Sequence, residues 1–437
     1  MAFLLSSCAA LGALPACGSD AGDDTGDDAP LVTDGGRFTI DGCGFDVVTR
    51  LGAEAPAPGA DVLGAAPDPF QLHLGFGGAP ATSMAMVWRT DLDTTATTVR
   101  FGVGTALDQE ATGVTYRYIS GLGGAGDTIR IHEAHLCGLT PDTTYSYQVG
   151  GVGADGTERF SATHTFRTAP DRVASPDAEV VVAFVGDSRG GYDVWGNLTQ
   201  AIAARSPDLI IFTGDAVTIG QSQEEWDDFF TQGEDLLASV PMVAAHGNHE
   251  VNAIEYYAQL AMPGDEEDYA FDFGPLHQTV LNDSPASSGD LAGKAKSFLD
   301  ADLAAAADAP WKIVSQHRSL WSSGTRHGSD TTLRQEWGVV YDQYLVDVVV
   351  SGHDHIFERT KPIRGETIGA TPADGTIYVV SGGAGADLYG TEPQAFTEYA
   401  ESTHSYTIMS LRPGMLSSQS FRDDGSPLDE FQITKPQ

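Results

Sequence analysis

Residues 244–250 read AAHGNHE and end the short apolar stretch 240–245. That stretch predicts a buried strand of an α/β sheet, and Gly247 predicts a tight turn at its end. Asn248 and His249 would then lie at the carboxyl end of the strand, which is where open α/β sheets bind ligands. An amide oxygen beside an imidazole suits a divalent metal ion, although the motif alone is equally consistent with an ordinary polar turn.

Other short apolar stretches also end in acidic or histidine residues. Asp187 follows residues 180–185, Asp215 follows 209–212, His317 follows 313–314, and His353 and His355 follow 346–350. A single Gly-Asp turn is usually structural, but this recurrence at successive strand ends predicts one shared site. His353 and His355 lie two residues apart, so in an extended chain they face the same side and can serve two adjacent metals. Carboxylate, amide and imidazole ligands together favour Zn, Fe or Mn over a structural calcium site.

The chain has 437 residues, which predicts two domains. Its net charge of −38 argues against nucleic acid and anionic membrane surfaces as partners. An anionic substrate would therefore need a local cation at its site.

The N-terminus is typical of an export signal. Residues 1–17 are mostly small and apolar and end in a lipobox-like sequence, LPAC, with Cys17 as the expected lipidation site. Residues 18–67 are predicted to form an acidic tether and an N-terminal arm. We expect an exported protein, either a bacterial cell-envelope lipoprotein or a secreted protein, that meets a membrane only through a lipid anchor.

Cys43 and Cys137 are the two cysteines left after the signal segment. In an oxidising compartment they are expected to form a disulfide, and the alternative is two free buried thiols.

Residues 68–170 predict a small all-β sandwich, and 171–178 a linker. Tyr145, Tyr147 and Val149 alternate with polar residues, as in a half-buried strand. From residue 179 to 432 short apolar strands alternate with helices, which predicts an α/β domain with a largely buried sheet. The predicted helices are 195–205, 224–237, 298–306 and 333–344.

The order of these motifs resembles the calcineurin-like metallophosphoesterases. Residues 353–359, HDHIFER, resemble the final motif of the purple acid phosphatases, and residues 139–147, LTPDTTYSY, resemble the end of a fibronectin type III domain. The resemblance covers residues 68–432 and implies an αββα sandwich preceded by a fibronectin III-like domain. It also implies two metal ions: Asp187 and His355 on the first, Asp215 bridging, and Asn248, His317 and His353 on the second. His249 would contact substrate phosphate, and His327 would orient substrate or protonate the leaving group.

The sequence departs from the family's pattern at two positions near the first metal. Thr218 replaces the tyrosine of the purple enzymes, and Arg189 replaces a histidine found in other members. A guanidinium has no lone pair to offer a metal. We therefore expect Arg189 to hold substrate phosphate, the alternative being a surface arginine that points away.

These features predict a metal-dependent phosphoric ester hydrolase, specifically a secreted phosphomonoesterase with two Fe, Zn or Mn ions. A phosphodiesterase or nucleotidase of the same fold is the nearest alternative. A non-catalytic surface-binding lipoprotein is the alternative from another class of protein. The sequence does not predict the oligomeric state.

Overall fold

The computed structural model describes residues 35–285 and 290–435. The predicted export segment with Cys17, and the start of the acidic tether, lie outside these residues. Within the two described ranges, no helix has both the length and the apolar character needed to cross a membrane.

The N-terminal part of the described chain is all β. Its strands are β1 Gly36–Thr39, β2 Asp46–Thr49, β3 Ala57–Pro58, β4 Phe70–Gly75, β5 Ser83–Arg89, β6 Thr98–Val103, β7 Gln109–Thr112, β8 Val114–Ile119, β9 Thr128–Cys137, β10 Thr144–Val152, β11 Glu158–Phe160 and β12 His164–Arg167. One sheet has the order β3-β8-β9-β5-β4, the other has the order β11-β10-β6-β7 with β12 also on β10, and β1 pairs with β2. Trp88, Tyr145, Tyr147 and Val149 are buried in one core, so the alternating pattern of β10 points into a sandwich.

The remainder of the described chain alternates strands with helices. Its strands are β13 Val180–Val185, β14 Leu209–Phe212, β15 Met242–Ala244, β16 Tyr269–Phe273, β17 Leu276–Val280, β18 Trp311–Ser315, β19 Val348–Ser351, β20 Phe357–Thr360, β21 Ile363–Arg364, β22 Thr367–Ile368, β23 Ile377–Ser381, β24 Thr397–Glu401, β25 Ser405–Arg412, β26 Met415–Arg422 and β27 Pro427–Thr434. Its helices are α1 Tyr192–Ala203, α2 Gln223–Leu237, α3 Ile254–Gln259, α4 Lys294–Ala305, α5 Thr331–Leu333 and α6 Val339–Tyr344, with a π-helical turn Arg334–Gly338 and a 3-10 turn Pro372–Asp374.

Two sheets of this part face each other. The first has the order β15-β14-β13-β25-β26-β27 and the second the order β16-β17-β18-β19-β23-β20-β24. Ile313 and Val348 lie in the core between the sheets, whereas their neighbours Val314 and Val349 pack with Leu303 of α4 in a separate core. This alternation places helices outside the sheets, and the predicted αββα sandwich after a small all-β sandwich is confirmed.

Some elements differ from the predicted ones. The helix predicted over 333–344 is interrupted by the π-helical turn, and the strand predicted over 240–245 is shorter, as β15. Strand β26 was not predicted, because its sequence MLSSQSFR has few apolar residues and forms through backbone pairing with β25 and β27.

The β-sandwich packs against α2 and α3. The Tyr147 hydroxyl donates to the carbonyl of Ala238 at 2.6 Å, and the Tyr116 hydroxyl donates to that of Ala258 at 2.9 Å. A disulfide joins Cys43 to Cys137 at the end of β9 and so ties the N-terminal arm to the sandwich.

Candidate metal centre

The predicted site residues follow strands of both facing sheets. Asp187 follows β13, Asp215 follows β14, Asn248 follows β15, His317 follows β18, and His353 and His355 follow β19. Strands β13, β14 and β15 run parallel to one another, as do β18 and β19. Their carboxyl ends therefore deliver these side chains to one edge of the sandwich.

Four ligand-type atoms converge at one point of this edge. His317 Nε2 lies 3.1 Å from Asn248 Oδ1, 3.2 Å from His353 Nδ1 and 3.3 Å from Asp215 Oδ1. Within the described residues, Asp215, His317 and His353 are the trio of acidic and histidine side chains whose ligand atoms all lie within 4.8 Å of one another. One carboxylate, one amide and two imidazole groups meet at this point, and such a mixed set of ligand atoms fits a metal ion.

Backbone carbonyls set the tautomers of two of the histidines. His317 Nδ1 donates to the carbonyl of Thr213 at 2.8 Å, and His355 Nδ1 donates to that of Asp387 at 2.7 Å. Each ring then presents Nε2 to the site, which is the arrangement that metal-binding histidines use. Burial lowers the pKa of His355 to about 3 and that of His353 to about 2, so both rings are neutral and available as ligands near neutral pH.

Burial and neighbouring charges both shift the pKa values of groups in the site. Burial raises the pKa of Asp187 well above the usual range of an aspartate. Burial alone would lower the pKa of His317, but the Asp215 and Asp187 carboxylates raise it to about 10. The buried carboxylates therefore favour positive charge at this edge, which a proton on His317 or a metal ion can supply.

The backbone at this edge is strained. Asp187, Asp215 and His353 have φ values of 65°, 57° and 68°, which residues other than glycine seldom adopt. Such conformations cluster at functional sites, where the surrounding structure holds them in place. Gly352 also has no room for a side chain, because a Cβ there would lie 2.2 Å from Asp187 Oδ2.

Around the residues predicted for the first metal, an arginine lies among the side chains. His355 Nε2 lies 3.6 Å from Asp187 Oδ1, and both Asp187 oxygens accept the backbone N–H of His353 at 3.1 and 3.0 Å. The Arg189 guanidinium lies among them, with Nη2 3.3 Å from His355 Nε2 and Nε 3.5 Å from Asp215 Oδ2. Arg189 is thus in the site rather than on a remote surface.

The two predicted substrate histidines flank the predicted metal ligands. His249 Nε2 lies 3.9 Å from Asp215 Oδ2, and its Nδ1 hydrogen-bonds to the carbonyl of Thr218. The His327 ring lies 4.0 Å from the His353 ring, measured between centroids. Burial lowers the pKa of His327 below the usual value of a histidine.

Three further residues support the site and were missed in the sequence. Glu250 accepts hydrogen bonds from the backbone at Asp215, Ala216 and Gly247. Asp354, between the two histidines of the final motif, accepts from the backbone N–H groups of the loop that carries His327. Tyr389 stacks on His355 with ring centroids 4.0 Å apart. Glu250 lies inside the motif 244–250 and Asp354 inside the motif 353–359, whereas the sequence carries no signal for Tyr389.

Comparisons with known proteins agree with this architecture. Residues 69–168 match the model of the purple acid phosphatase N-terminal domain, and residues 180–357 match that of the calcineurin-like phosphoesterases. Purple acid phosphatase 22 of Arabidopsis thaliana is 27% identical, over 79% of this chain and 80% of that protein. An uncharacterized protein of Mycobacterium tuberculosis is 29% identical, over 73% of this chain and 70% of that protein.

A solved structure shares the fold. The purple acid phosphatase from yellow lupin seeds has a TM-score of 0.74 and 20% sequence identity, and the match covers 84% of this chain and 74% of that one. Both domains are thus similar to those of the purple acid phosphatases, and residues 180–357, which match the calcineurin-like phosphoesterases, contain the strand-end residues described above.

Proposed function

We propose that this protein is an exported, metal-dependent phosphomonoesterase whose catalytic domain spans residues 179–432. The observation that carries the proposal is the convergence of Asp215, Asn248, His317 and His353 on one point, with His249 and His327 beside them.

The four converging residues would hold a metal ion, of which Zn, Fe and Mn suit the ligand set. When bound, such an ion supplies positive charge beside the phosphorus atom and lowers the pKa of a water molecule. The protein's own contribution is to hold the ligands rigidly: the carbonyl of Thr213 orients His317, and Glu250 positions the backbone of Asp215.

Substrate phosphate would be bound by His249, His327 and Arg189, which together place donors around the metal ligands. The planar guanidinium of Arg189 can donate to two phosphoryl oxygens at once. These groups supply locally the positive charge that a protein of net charge −38 lacks overall. Either His327 or His249 would protonate the leaving group as a general acid.

Parallel assays on para-nitrophenyl phosphate and bis-para-nitrophenyl phosphate test the proposal. We expect faster hydrolysis of the monoester, loss of activity with a chelator, and recovery on adding Zn²⁺ or Mn²⁺. Asp215→Ala should abolish hydrolysis, whereas His164→Ala, a histidine on β12 of the sandwich, should leave it unchanged. Faster diester hydrolysis would favour a phosphodiesterase, and no hydrolysis of either ester would favour a binding protein.

Export is supported by the Cys43–Cys137 disulfide, since such bridges persist in oxidising compartments. Lipidation at Cys17 predicts a mature chain that begins at that residue and carries acyl chains. Mass spectrometry of the mature protein tests this, because plain secretion would give an unmodified N-terminus.

A further inference from the structure

The guanidinium of Arg189 lies where the family pattern expects the first metal. Its Nη2 lies 3.3 Å from Nε2 of His355, the atom that this histidine would offer to a metal. Its Nε lies 3.5 Å from Oδ2 of Asp215, the residue expected to bridge two ions. The guanidinium therefore contacts two of the three side chains predicted to hold that metal.

The two oxygens of the Asp215 carboxylate contact different neighbours. Oδ1 lies 3.3 Å from His317 Nε2 and accepts the backbone N–H of His249 at 3.0 Å, whereas Oδ2 faces Arg189. One oxygen thus belongs to the converging metal ligands, and the other pairs with the guanidinium. In this arrangement Asp215 bridges a metal position and an arginine.

Tyr389 holds Arg189 in this place. Its hydroxyl lies 3.3 Å from Arg189 Nη2, and its ring stacks on His355 at an interplanar angle of 19°. The backbone N–H of Tyr389 also donates to the carbonyl of His355 at 3.0 Å. The ring, the hydroxyl and the backbone of one residue therefore fix both His355 and the guanidinium beside it.

A metal ion and the guanidinium cannot share these contacts. The lone pair on His355 Nε2 either accepts an N–H of Arg189 or coordinates a metal. A guanidinium carries a positive charge, so a cation beside it would be repelled at close range. Thr218 stands where the purple enzymes have a tyrosine, and its backbone carbonyl binds His249.

We propose that Arg189 replaces the first metal ion, so that the site holds a single ion on Asp215, Asn248, His317 and His353. This inference deepens the proposed function, on which it rests for the identity of the substrate. The guanidinium supplies the second positive charge, and its Nε is buried and makes no hydrogen bond within the described residues. Its remaining N–H groups are available as fixed donors to phosphoryl oxygens.

Metal stoichiometry tests this inference without using activity. Purified protein is saturated with Zn²⁺, freed of loosely bound ions and measured for zinc per chain. We expect one equivalent for the wild type and two for Arg189→His, which exchanges the guanidinium for a ligand. Arg326→His is the matched control: it removes an arginine 4.9 Å from the Tyr389 ring centroid but leaves Arg189, and it should bind one equivalent.

Electron paramagnetic resonance of the Mn²⁺-loaded proteins provides a second measurement. The wild type should show an isolated Mn²⁺ ion, and Arg189→His should show two exchange-coupled ions. Two equivalents of zinc or a coupled manganese pair in the wild type would overturn the inference, even if the protein hydrolysed para-nitrophenyl phosphate. One equivalent in a wild-type protein that hydrolyses no phosphate ester would instead overturn the proposed function and leave the metal count standing.

Discussion

At the scale of single residues, Glu250 shows how a side chain that touches no substrate can set the geometry of the site. It is fully buried, and its carboxylate accepts backbone N–H groups of Asp215 at 3.0 Å, Ala216 at 2.8 Å and Gly247 at 2.7 Å. These bonds connect the turn after β14 to the turn after β15. Glu250 therefore keeps Asp215 and Asn248 at their mutual distance.

Glu250→Ala should lower the affinity for Zn²⁺ by about 10- to 100-fold, as is typical when a residue that supports metal ligands is lost. It removes the acceptor for three buried N–H groups and lets both turns shift. Titration against a chromogenic chelator measures the change. Glu224→Ala, at an exposed glutamate at the start of α2, is the control, and equal zinc affinity in both variants would contradict the role given to Glu250.

At the scale of elements, residues 322–329 form a loop that is held in place by hydrogen bonds to Asp354. This buried carboxylate accepts hydrogen bonds from the Ser322 hydroxyl at 2.6 Å and from the backbone N–H of Gly328 at 2.9 Å. The loop passes so closely that a Cβ on Gly324 would lie 2.4 Å from Asp354 Oδ1. His327 is therefore positioned by the packing of its loop.

Gly324→Ala should reduce kcat/KM for para-nitrophenyl phosphate by about 10- to 100-fold, because a displacement near 1 Å is enough to misplace a catalytic group. Zinc content should stay at the wild-type value, since none of the proposed metal ligands lies in the loop. Gly338→Ala, where the nearest atom would be 3.4 Å from the new Cβ, is the control. A loss of zinc in Gly324→Ala would show that the effect is not confined to the loop.

A second element-scale feature joins β17 to α4. His277 on β17 contacts Asp272 Oδ1 at 2.9 Å through Nδ1 and Asp302 Oδ2 on α4 at 3.1 Å through Nε2. Burial alone would lower the pKa of His277, but hydrogen bonds to these two carboxylates raise it to about 9. Because the pKa is raised in the folded state, this contact stabilises the protein fully below about pH 6.5 and loses its effect as the pH rises through 9.

His277→Gln should therefore lower the free energy of unfolding by about 2 kcal/mol at pH 6 and by clearly less at pH 9.5. Urea unfolding of both proteins at the two pH values measures this, and the midpoints should converge as the pH rises. A difference in midpoint that is the same at both pH values would mean that packing, and not the charge of His277, accounts for the stabilisation.

At the scale of the whole molecule, the disulfide links residues that are 94 positions apart in the chain. Closing a loop of this length restricts the unfolded chain and stabilises the folded one by about 4 kcal/mol in the chain-entropy model. Cys43→Ser/Cys137→Ser should accordingly be less stable by an amount of this order, with zinc binding unchanged. Thermal unfolding under non-reducing conditions compares the two proteins, and equal melting temperatures would contradict the prediction.

Much of the architecture could be predicted from the sequence because local patterns carry it. The apolar stretches before Asp187 and Asp215 coincide with β13 and β14, and the alternation of Tyr145 and Tyr147 is that of β10. Period and composition depend on neighbouring residues only, so they can be recognised in one chain. Strand β26 was not predicted from the sequence, because a polar strand forms through backbone pairing with the strands on either side of it.

The sequence by itself determined the fold class, the family pattern and the residues able to bind metal. The tertiary structure decided what those residues contact, because contacts between distant positions are set by packing. Arg189 shows the difference: its type excludes metal ligation, but only the fold brings its guanidinium 3.3 Å from both His355 Nε2 and the hydroxyl of Tyr389. No local pattern links positions 189, 355 and 389, since the carboxyl ends of facing sheets meet only when both sheets have formed.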